Sequence, residues 1–193
     1  MALRKIARLG EPILRRVAPL VTRDQIGTAY LEQLIADMVE TMRDADGAGL
    51  AAPQIYESLQ LCVIELRDNP RYPGQIAIPL TVLINPVIEP LVANPEQPSD
   101  AESIAVYEGC LSVPGIRGRV RRPRKVRVTA LDRAGNAIDQ VWEGFHAAVV
   151  QHETDHLFGR LFVDRADPKT LTFLTEYERN IPLNQRFWDG ADR

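Results

Sequence analysis

Residues 152–156 read His-Glu-Thr-Asp-His, a pattern that can hold a metal ion. On a helix, residues four apart lie on one face, so the imidazoles of His152 and His156 can reach the same ion. Glu153 lies beside that face, where its carboxylate can take a proton from water that the metal acidifies. This combination predicts a metal-dependent hydrolase with a glutamate general base. A solvated polar helix face is the alternative, because so short a pattern also arises by chance.

The third ligand of such a site cannot be the remaining histidine. His146 precedes His152 by six residues, which places it about 120° around the helix and ~9 Å along its axis. It therefore cannot share the ion, and we expect a structural or surface histidine there. Cysteine or carboxylate must supply the third ligand.

Two cysteines and a glycine-rich segment are further candidates for chemistry. Cys110 lies in Glu108-Gly-Cys-Leu-Ser112, and a thiolate is a good ligand for zinc or ferrous iron. Cys62 lies in an apolar segment and is expected to be a buried thiol. The segment Gly47-Ala-Gly-Leu-Ala-Ala-Pro-Gln54 could simply lead from a helix into a strand. It lacks the Lys-Ser/Thr ending of phosphate loops, so nucleotide binding is not expected.

The elements that position these residues follow from hydrophobic periodicity. Helices are predicted over residues 25–45 (capped by Asp24 and ended by Gly47), 145–158 (ended by Gly159) and 168–178; strands are predicted over 61–66, 81–84, 125–131 and onward from a turn at 132–136 to about Trp142. Strands and helices are segregated rather than alternating, which indicates an α+β fold. We expect antiparallel or mixed sheets around a central metal-binding helix at about 145–158, in a single catalytic domain spanning 1–193.

Composition excludes some partners. The net charge is −3 and the pI is near 5.7, so nothing draws the chain as a whole to nucleic acid or anionic membrane. No apolar run approaches the ~20 residues that span a bilayer. A transit peptide is an alternative explanation of the basic N-terminus. Two cysteines, one of them a candidate ligand, fit a reducing compartment, and we expect a cytoplasmic protein.

Taken together, three segments resemble the signature motifs of the peptide deformylases. They are Gly47-Ala-Gly-Leu-Ala-Ala-Pro-Gln54, Glu108-Gly-Cys-Leu-Ser112 and Gln151-His-Glu-Thr-Asp-His-Leu157 with Gly159. The resemblance begins near Arg8-Leu-Gly-Glu-Pro-Ile-Leu14, which argues against a transit peptide, and ends near Leu161-Phe-Val-Asp-Arg165. It implies that Cys110, His152 and His156 ligate the metal and that Glu153 is general base and then acid.

The resemblance also implies roles around the metal. The side chain of Gln54 and the backbone amide of Leu111 would donate to the developing oxyanion, each contributing about 3 kcal/mol to the transition state. Gly49 would hydrogen-bond the substrate main chain, and Arg117 would help to hold the substrate or the cysteine loop. Tyr56 departs from the family, which usually has glycine there.

By the same resemblance, the cofactor is one divalent metal ion, usually Fe²⁺, for which Zn²⁺, Ni²⁺ or Co²⁺ can substitute. The substrate is the N-formyl-methionine end of a newly synthesised polypeptide, and the products are formate and a free amino terminus. A metallopeptidase that uses the same helix is the alternative. It is disfavoured because no downstream histidine, nor any glutamate in a recognisable ligand motif, completes its usual ligand set.

A run of basic residues follows the cysteine motif, from Arg117 to Arg127. Two interpretations of this run are open: its residues form the solvated side of a strand, or they make a weak electrostatic contact with the ribosome. Because no nucleic-acid recognition motif accompanies it, such a contact would be salt-sensitive.

Overall fold

The computed structural model describes residues 2–67, 77–94, 99–182 and 185–188. Within these ranges the chain forms three α-helices and nine strands, in the following order: α1 (Ala29–Asp44), β1 (Gly49–Ala51), β2 (Leu61–Leu66), β3 (Ile78–Pro90), β4 (Ser103–Cys110), β5 (Val113–Pro123), β6 (Lys125–Leu131), β7 (Ala137–Glu143), α2 (Phe145–Leu157), β8 (Thr172–Phe173), α3 (Leu174–Asn180) and β9 (Phe187–Trp188). None of the helices in the described part is long and apolar enough to cross a bilayer. The α+β prediction is confirmed.

The strands form two antiparallel sheets. One sheet has five strands in the order β1-β2-β3-β6-β7, and the other has four in the order β8-β5-β4-β9. Strand β1 is an edge of the first sheet, and β4 carries the cysteine motif near an edge of the second. The central helix α2 packs against strands of both sheets, as expected from the sequence.

Strand β2 is buried at every residue, because helices cover both faces of its sheet. One face shares a core with α2, in which Cys62 and Leu83 pack with Val150 and Leu157. The other face packs against the apolar stripe of α1, formed by residues at helical spacing: Leu31, Leu34, Ile35, Met38 and Met42. The first sheet is thus packed between α1 and α2. This packing holds α2 against β1 and β2, next to the segment 47–54.

The ends of the first helix differ from the prediction. Helix α1 begins at Ala29, not residue 25, and its N-cap is Thr28, whose hydroxyl accepts from the amide of Leu31 at 3.3 Å. Asp24 is therefore not the cap. The helix ends at Asp44, and the capping residue is Ala45 rather than Gly47. Helix α2 ends as predicted, and Gly159 adopts a φ of 71° just beyond it.

The prediction of a helix over 168–178 is confirmed only from Leu174 onward and is wrong for residues 168–173. Residues Pro168–Thr170 form one 3₁₀ turn, Thr172–Phe173 pair with β5, and α3 begins only at Leu174. Strand β3 is longer than predicted, because it pairs with β2 at one end and β6 at the other. Residues 94–100 are rich in proline and polar residues, for which an exposed loop is expected, and they lie partly outside the described residues.

The backbone conformation of Tyr56 is one that favours glycine, the residue usual at this position in the family that the sequence resembles. Its φ is 66°, a left-handed conformation that glycine adopts without steric cost. The side chain is tied down instead: its hydroxyl donates to Glu11 at 2.9 Å, and the ammonium of Lys5 lies 5.7 Å from the ring centre. Contacts of this kind offset part of the backbone strain.

Candidate metal centre

Cys110, His152 and His156 converge from two elements. The histidines are one turn apart on α2, and Cys110 ends β4. Each offers one ligand atom, and these atoms lie within 4.8 Å of one another. The Sγ of Cys110 is 3.4 Å from the Nε2 of His156. A sulfur and a nitrogen ligand bound to the same tetrahedral metal are about 3.6 Å apart, which is a similar distance. The donor set therefore fits one divalent metal ion.

The charge of the site favours a thiolate. Burial alone would raise the pKa of Cys110, but His156 and His152 lower the pKa of this thiol well below its ordinary value of 9.0. The sulfur also accepts from the amide of Ser112 and from Nε2 of Gln54, both at 3.4 Å. A thiolate is the form that binds a metal.

His152 is oriented by a carboxylate. Its Nδ1 is 2.8 Å from Oε2 of Glu108, which leaves Nε2 for the metal. Metal-binding histidines commonly use such a partner to fix the ring orientation. Glu108 is the first residue of the cysteine motif, so β4 supplies both one candidate ligand, Cys110, and the partner of another, His152.

A buried arginine connects this carboxylate to the metal helix. Arg122 donates to Glu108 through Nε at 2.5 Å and Nη2 at 2.9 Å, and to Asp155 through Nη1 at 2.8 Å. Asp155 also accepts two bonds from Arg165 at 2.8 Å. Burial would raise the pKa of Glu108, but the charge and bonds of Arg122 hold it at about 2. Sequence analysis missed this network, whose members lie far apart in the chain.

Glu153 has the environment of a proton acceptor. It is 5% exposed, and its Oε2 has no hydrogen-bond partner among the described residues. Burial raises the pKa of its carboxyl above the ordinary value, although His152 and His156 oppose the shift. A raised pKa brings a carboxylate closer to the range in which it exchanges protons at neutral pH. Gly49 is essential for this packing, since a Cβ there would lie 2.5 Å from the Glu153 side chain.

Gln54 presents its amide nitrogen to the same centre. Its Oε1 accepts from the amide of Ala51 at 2.8 Å, which fixes the orientation of the side chain. Its Nε2 then faces Cys110 and lies 3.1 Å from the hydroxyl of Ser112. Leu111 follows Cys110 and is half-buried beside it. Both residues line the cavity that reaches the ligands.

That cavity is open to solvent, and the empty space in it, including its solvent-filled mouth, is about 530 Å³. It is lined by residues of β1 and the turn before it, of β4, and of α2: Gly47, Ala48, Gly49, Gln54, Val106, Tyr107, Glu108, Gly109, Cys110, Leu111, Phe145, Ala148, Val149, His152 and Glu153. A mixed lining of small apolar groups with a few convergent polar ones is typical of an enzyme pocket.

The remaining candidates lie beside the centre or away from it. Arg117 is buried, and its guanidinium fills the space a side chain at Gly109 would need, 1.2 Å from that Cβ position. It therefore packs on the cysteine loop. Cys62 lies in the core between β2 and α2, and His146 lies beside Trp142 with ring centres 6.3 Å apart. Neither belongs to the ligand group.

Known proteins resemble the chain over most of its length. A model of the polypeptide deformylase family matches residues 3–171. A peptide deformylase of Leptospira biflexa is 48% identical over 166 residues, 86% of this chain and 88% of that protein. Peptide deformylase 2 of Bordetella bronchiseptica is 49% identical over 171 residues, 89% and 92% of the two chains.

The solved structures that resemble this chain are also peptide deformylases. A class I type b peptide deformylase from Acinetobacter baumannii, solved with Met-Ala-Ser bound, superposes with a TM-score of 0.78 at 38% identity, over 85% of this chain and 98% of the other. A peptide deformylase from Synechococcus elongatus in complex with actinonin has a TM-score of 0.71 at 40% identity, over 85% and 79% of the two chains. The chain therefore belongs to the polypeptide deformylase family, and its reaction is that of a peptide deformylase.

Proposed function

We propose that the deformylase reaction takes place at one divalent metal ion held by Cys110, His152 and His156. The observation that carries the proposal is the convergence of three ligand atoms within 4.8 Å beside Glu153, a buried carboxylate with an unpartnered oxygen among the described residues. When bound, the metal supplies Lewis-acid chemistry that acidifies water and polarises a carbonyl. We also propose that residues 1–193 act as one catalytic domain, because α2 packs against both sheets.

Glu153 moves the proton in this mechanism. As a carboxylate it removes the proton from the attacking water, and as a carboxylic acid it returns that proton to the departing amino group. Its raised pKa suits both halves of the cycle. Because Glu153 is not one of the ligand group, its loss should leave the metal in place.

The oxyanion of the tetrahedral intermediate is stabilised by two donors. Nε2 of Gln54 is held toward the centre by the bond between its Oε1 and Ala51, and the backbone amide of Leu111 follows the cysteine ligand. Donors fixed in advance in this way cost no reorganisation when the charge develops. Gly49 lies on the cavity wall, where its main chain can bond the substrate. Arg117 acts by holding the cysteine loop through its packing on Gly109.

We propose N-formyl-methionyl peptides of newly synthesised chains as the substrate and Fe²⁺ as the native metal. The relative from Acinetobacter baumannii was solved with Met-Ala-Ser bound, which is the deformylated form of such a peptide. A thiolate with two imidazoles suits Fe²⁺, and it also accepts Zn²⁺, Ni²⁺ or Co²⁺. Metal analysis of anaerobically purified protein checks the metal: Zn²⁺ without iron would contradict the Fe²⁺ assignment.

The experiment that tests the proposed function uses Glu153→Gln and formyl-Met-Ala-Ser. Glutamine keeps the size of the side chain but cannot accept the proton. The variant should bind metal as well as the parent and lose at least ~10²-fold in formate release, mainly in kcat. Glu143→Gln, an exposed surface change, is the control. Loss of the metal would make Glu153 a ligand, and cleavage of an unformylated peptide would indicate a peptidase.

A weak electrostatic ribosome contact through Arg117–Arg127 is part of the proposal, together with a cytoplasmic location. Arg117 and Arg122 are buried and do not contribute. The exposed members are Arg119, Arg121, Lys125 and Arg127, and the last three already lie near carboxylates, at 2.8, 3.6 and 2.6 Å. Co-sedimentation with ribosomes should be weak at about 50 mM salt and disappear near 200 mM. Salt-independent co-sedimentation would contradict an electrostatic contact.

A further inference from the structure

The cavity at the metal centre lies between the edges of two sheets. Strand β1 ends the first sheet, and its Gly49 lines the cavity. Strand β4 borders the cavity from Val106 to Cys110. An extended peptide can add to sheet edges of this kind through main-chain hydrogen bonds. With its formyl group at the metal, such a peptide runs along β4 from Cys110 toward Val106.

The chain's own C-terminal segment already occupies the far part of that edge. Strand β9 pairs with β4 at Val106 and Ala105, and the carbonyl of Arg186 accepts from the amide of Tyr107 at 3.2 Å. Groups on one edge of a strand recur every second residue. Gly109 therefore presents its main chain to the same edge as Tyr107, two residues nearer the metal.

The Arg186 side chain fastens this segment to α3. Its Nε donates to the carbonyl of Ile181 at 3.0 Å, and its Nη2 donates to that of Glu178 at 3.4 Å. The guanidinium also lies 4.6 Å from the ring centre of Tyr177. One side chain thus satisfies carbonyls at the end of a helix and holds the strand that follows.

Tyr177 contacts both Arg186 and Tyr107, and so connects the arginine to the cavity wall. It is 8% exposed, and its ring centre is 5.4 Å from that of Tyr107, which lines the cavity. The guanidinium of Arg117 lies 5.9 Å from the same ring. Tyr107, at the end of the cavity, is therefore held by α3 and by residues 185–188, which are not themselves among the residues that line it.

We propose that the C-terminal arm, residues 185–188, ends the substrate strand and limits the extended part of a bound peptide to about three residues. From Cys110 to Tyr107 the edge is about 10 Å long, which corresponds to about three residues at ~3.4 Å each. A residue placed opposite Tyr107 would compete with Arg186 for the same amide. The arm thus sets how much of a peptide contributes to binding, an inference that rests on the proposed function.

The test measures kcat/KM for formyl-Met peptides of two to six residues with the metal-loaded enzyme. For the parent protein, kcat/KM rises up to the third residue and then stays constant within about twofold. In Arg186→Ala the arm is released, and peptides of five or six residues gain at least about fivefold over the tripeptide. Arg179→Ala is the matched control, because this arginine lies on α3, the helix that Arg186 contacts, but among the described residues pairs only with the half-exposed Glu176. It should keep the plateau of the parent.

A second variant keeps the test decisive if Arg186→Ala fails to fold. Proline at position 188, which faces Ala105, removes a backbone donor and disfavours the pairing of β9. Trp188→Pro should extend the length dependence in the same way, with turnover of formyl-Met-Ala retained. A gain from residues four to six in the parent overturns the inference, as does an unchanged plateau in both variants. Absence of formate release from every peptide would instead refute the proposed function.

Discussion

Replacing Arg122 by methionine tests whether the buried network supports the metal centre. The Arg122 side chain is 3% exposed and bonds the carboxylates of Glu108 and Asp155, which are 6% and 10% exposed. Methionine keeps the length and apolar bulk of the side chain but removes the charge and all three bonds. Asp155 retains Arg165, so the loss falls mainly on Glu108.

The magnitude follows from burial. Removing one partner of a buried ion pair typically costs about 3–5 kcal/mol, because the other charge stays buried without compensation. That is a large share of the ~5–15 kcal/mol that stabilises an ordinary domain. The carboxylate also bonds Nδ1 of His152. A disturbed partner of a metal-binding histidine typically lowers metal affinity by about 10–100-fold.

The assay is urea unfolding of the metal-free protein, with metal affinity measured separately against a chelator. Measuring the two separately matters because a bound metal stabilises the folded state by mass action. Arg127→Met is the matched control: its carboxylate partner Asp139 is as close, at 2.6 Å, but both side chains are about half exposed. The control should lose far less stability, since exposed pairs are screened by water.

A double variant, Glu108→Gln with Arg122→Met, gives the sharpest discrimination. If the cost arises from an uncompensated buried charge, neutralising Glu108 should recover at least about 1 kcal/mol of the stability that Arg122→Met loses. The reasoning is refuted if Arg122→Met loses less than about 1 kcal/mol, or no more than Arg127→Met.

The other predictions concern separate parts of the chain. Gly49→Ala places a Cβ 2.5 Å from Glu153; the displaced base should lower kcat more than about tenfold with metal retained, and unchanged kcat would contradict the packing. Cys110→Asp should shift selectivity toward harder ions and sharply lower activity; metal titration checks this, and unchanged metal selectivity would exclude the cysteine as a ligand. A bond from Arg43 lowers the pKa of the Glu65 carboxyl below 4.5, so its contribution to stability is present above about pH 4.5 and is lost as pH falls through the lowered value. Glu65→Gln should flatten the decline of unfolding free energy with acid, and an unaltered decline would exclude this linkage.

The helix that carries His152, Glu153 and His156 could be predicted from sequence because the pattern that brings these side chains together is local. His152, Glu153 and His156 lie within one turn, and helical geometry alone places them together. The hydrophobic stripe of α1 is similarly local, whereas its first residue is not. Asp24 and Thr28 are both good N-caps by residue type, and only the turns formed by residues 22–27 decide between them.

The predicted start of the third helix was wrong because of a tertiary contact. Residues 172–173 add a short strand to β5, in register with Arg117 and Ile116. This pairing interrupts a segment whose composition suits a helix. Long-range pairing overrides local propensity when it satisfies backbone groups at a sheet edge. Nothing within residues 168–178 indicates that an edge is available, because β5 lies about fifty residues earlier.

The burial of Arg122, by contrast, could have been predicted from the pattern of residues along β5. Along β5 side chains alternate, so Arg122 shares the face of Val120, which is fully buried, while Arg119 and Arg121 face solvent. An arginine on a buried face requires carboxylates nearby. Glu108 opens the cysteine motif, and Asp155 lies inside the histidine motif. Between Arg119 and Arg122, strand face therefore separates the buried Arg122, which orients the candidate ligand His152 through Glu108, from the solvated Arg119 and Arg121. The summed charge of the run conceals this division, and Arg117, which is also buried, lies before the alternating part.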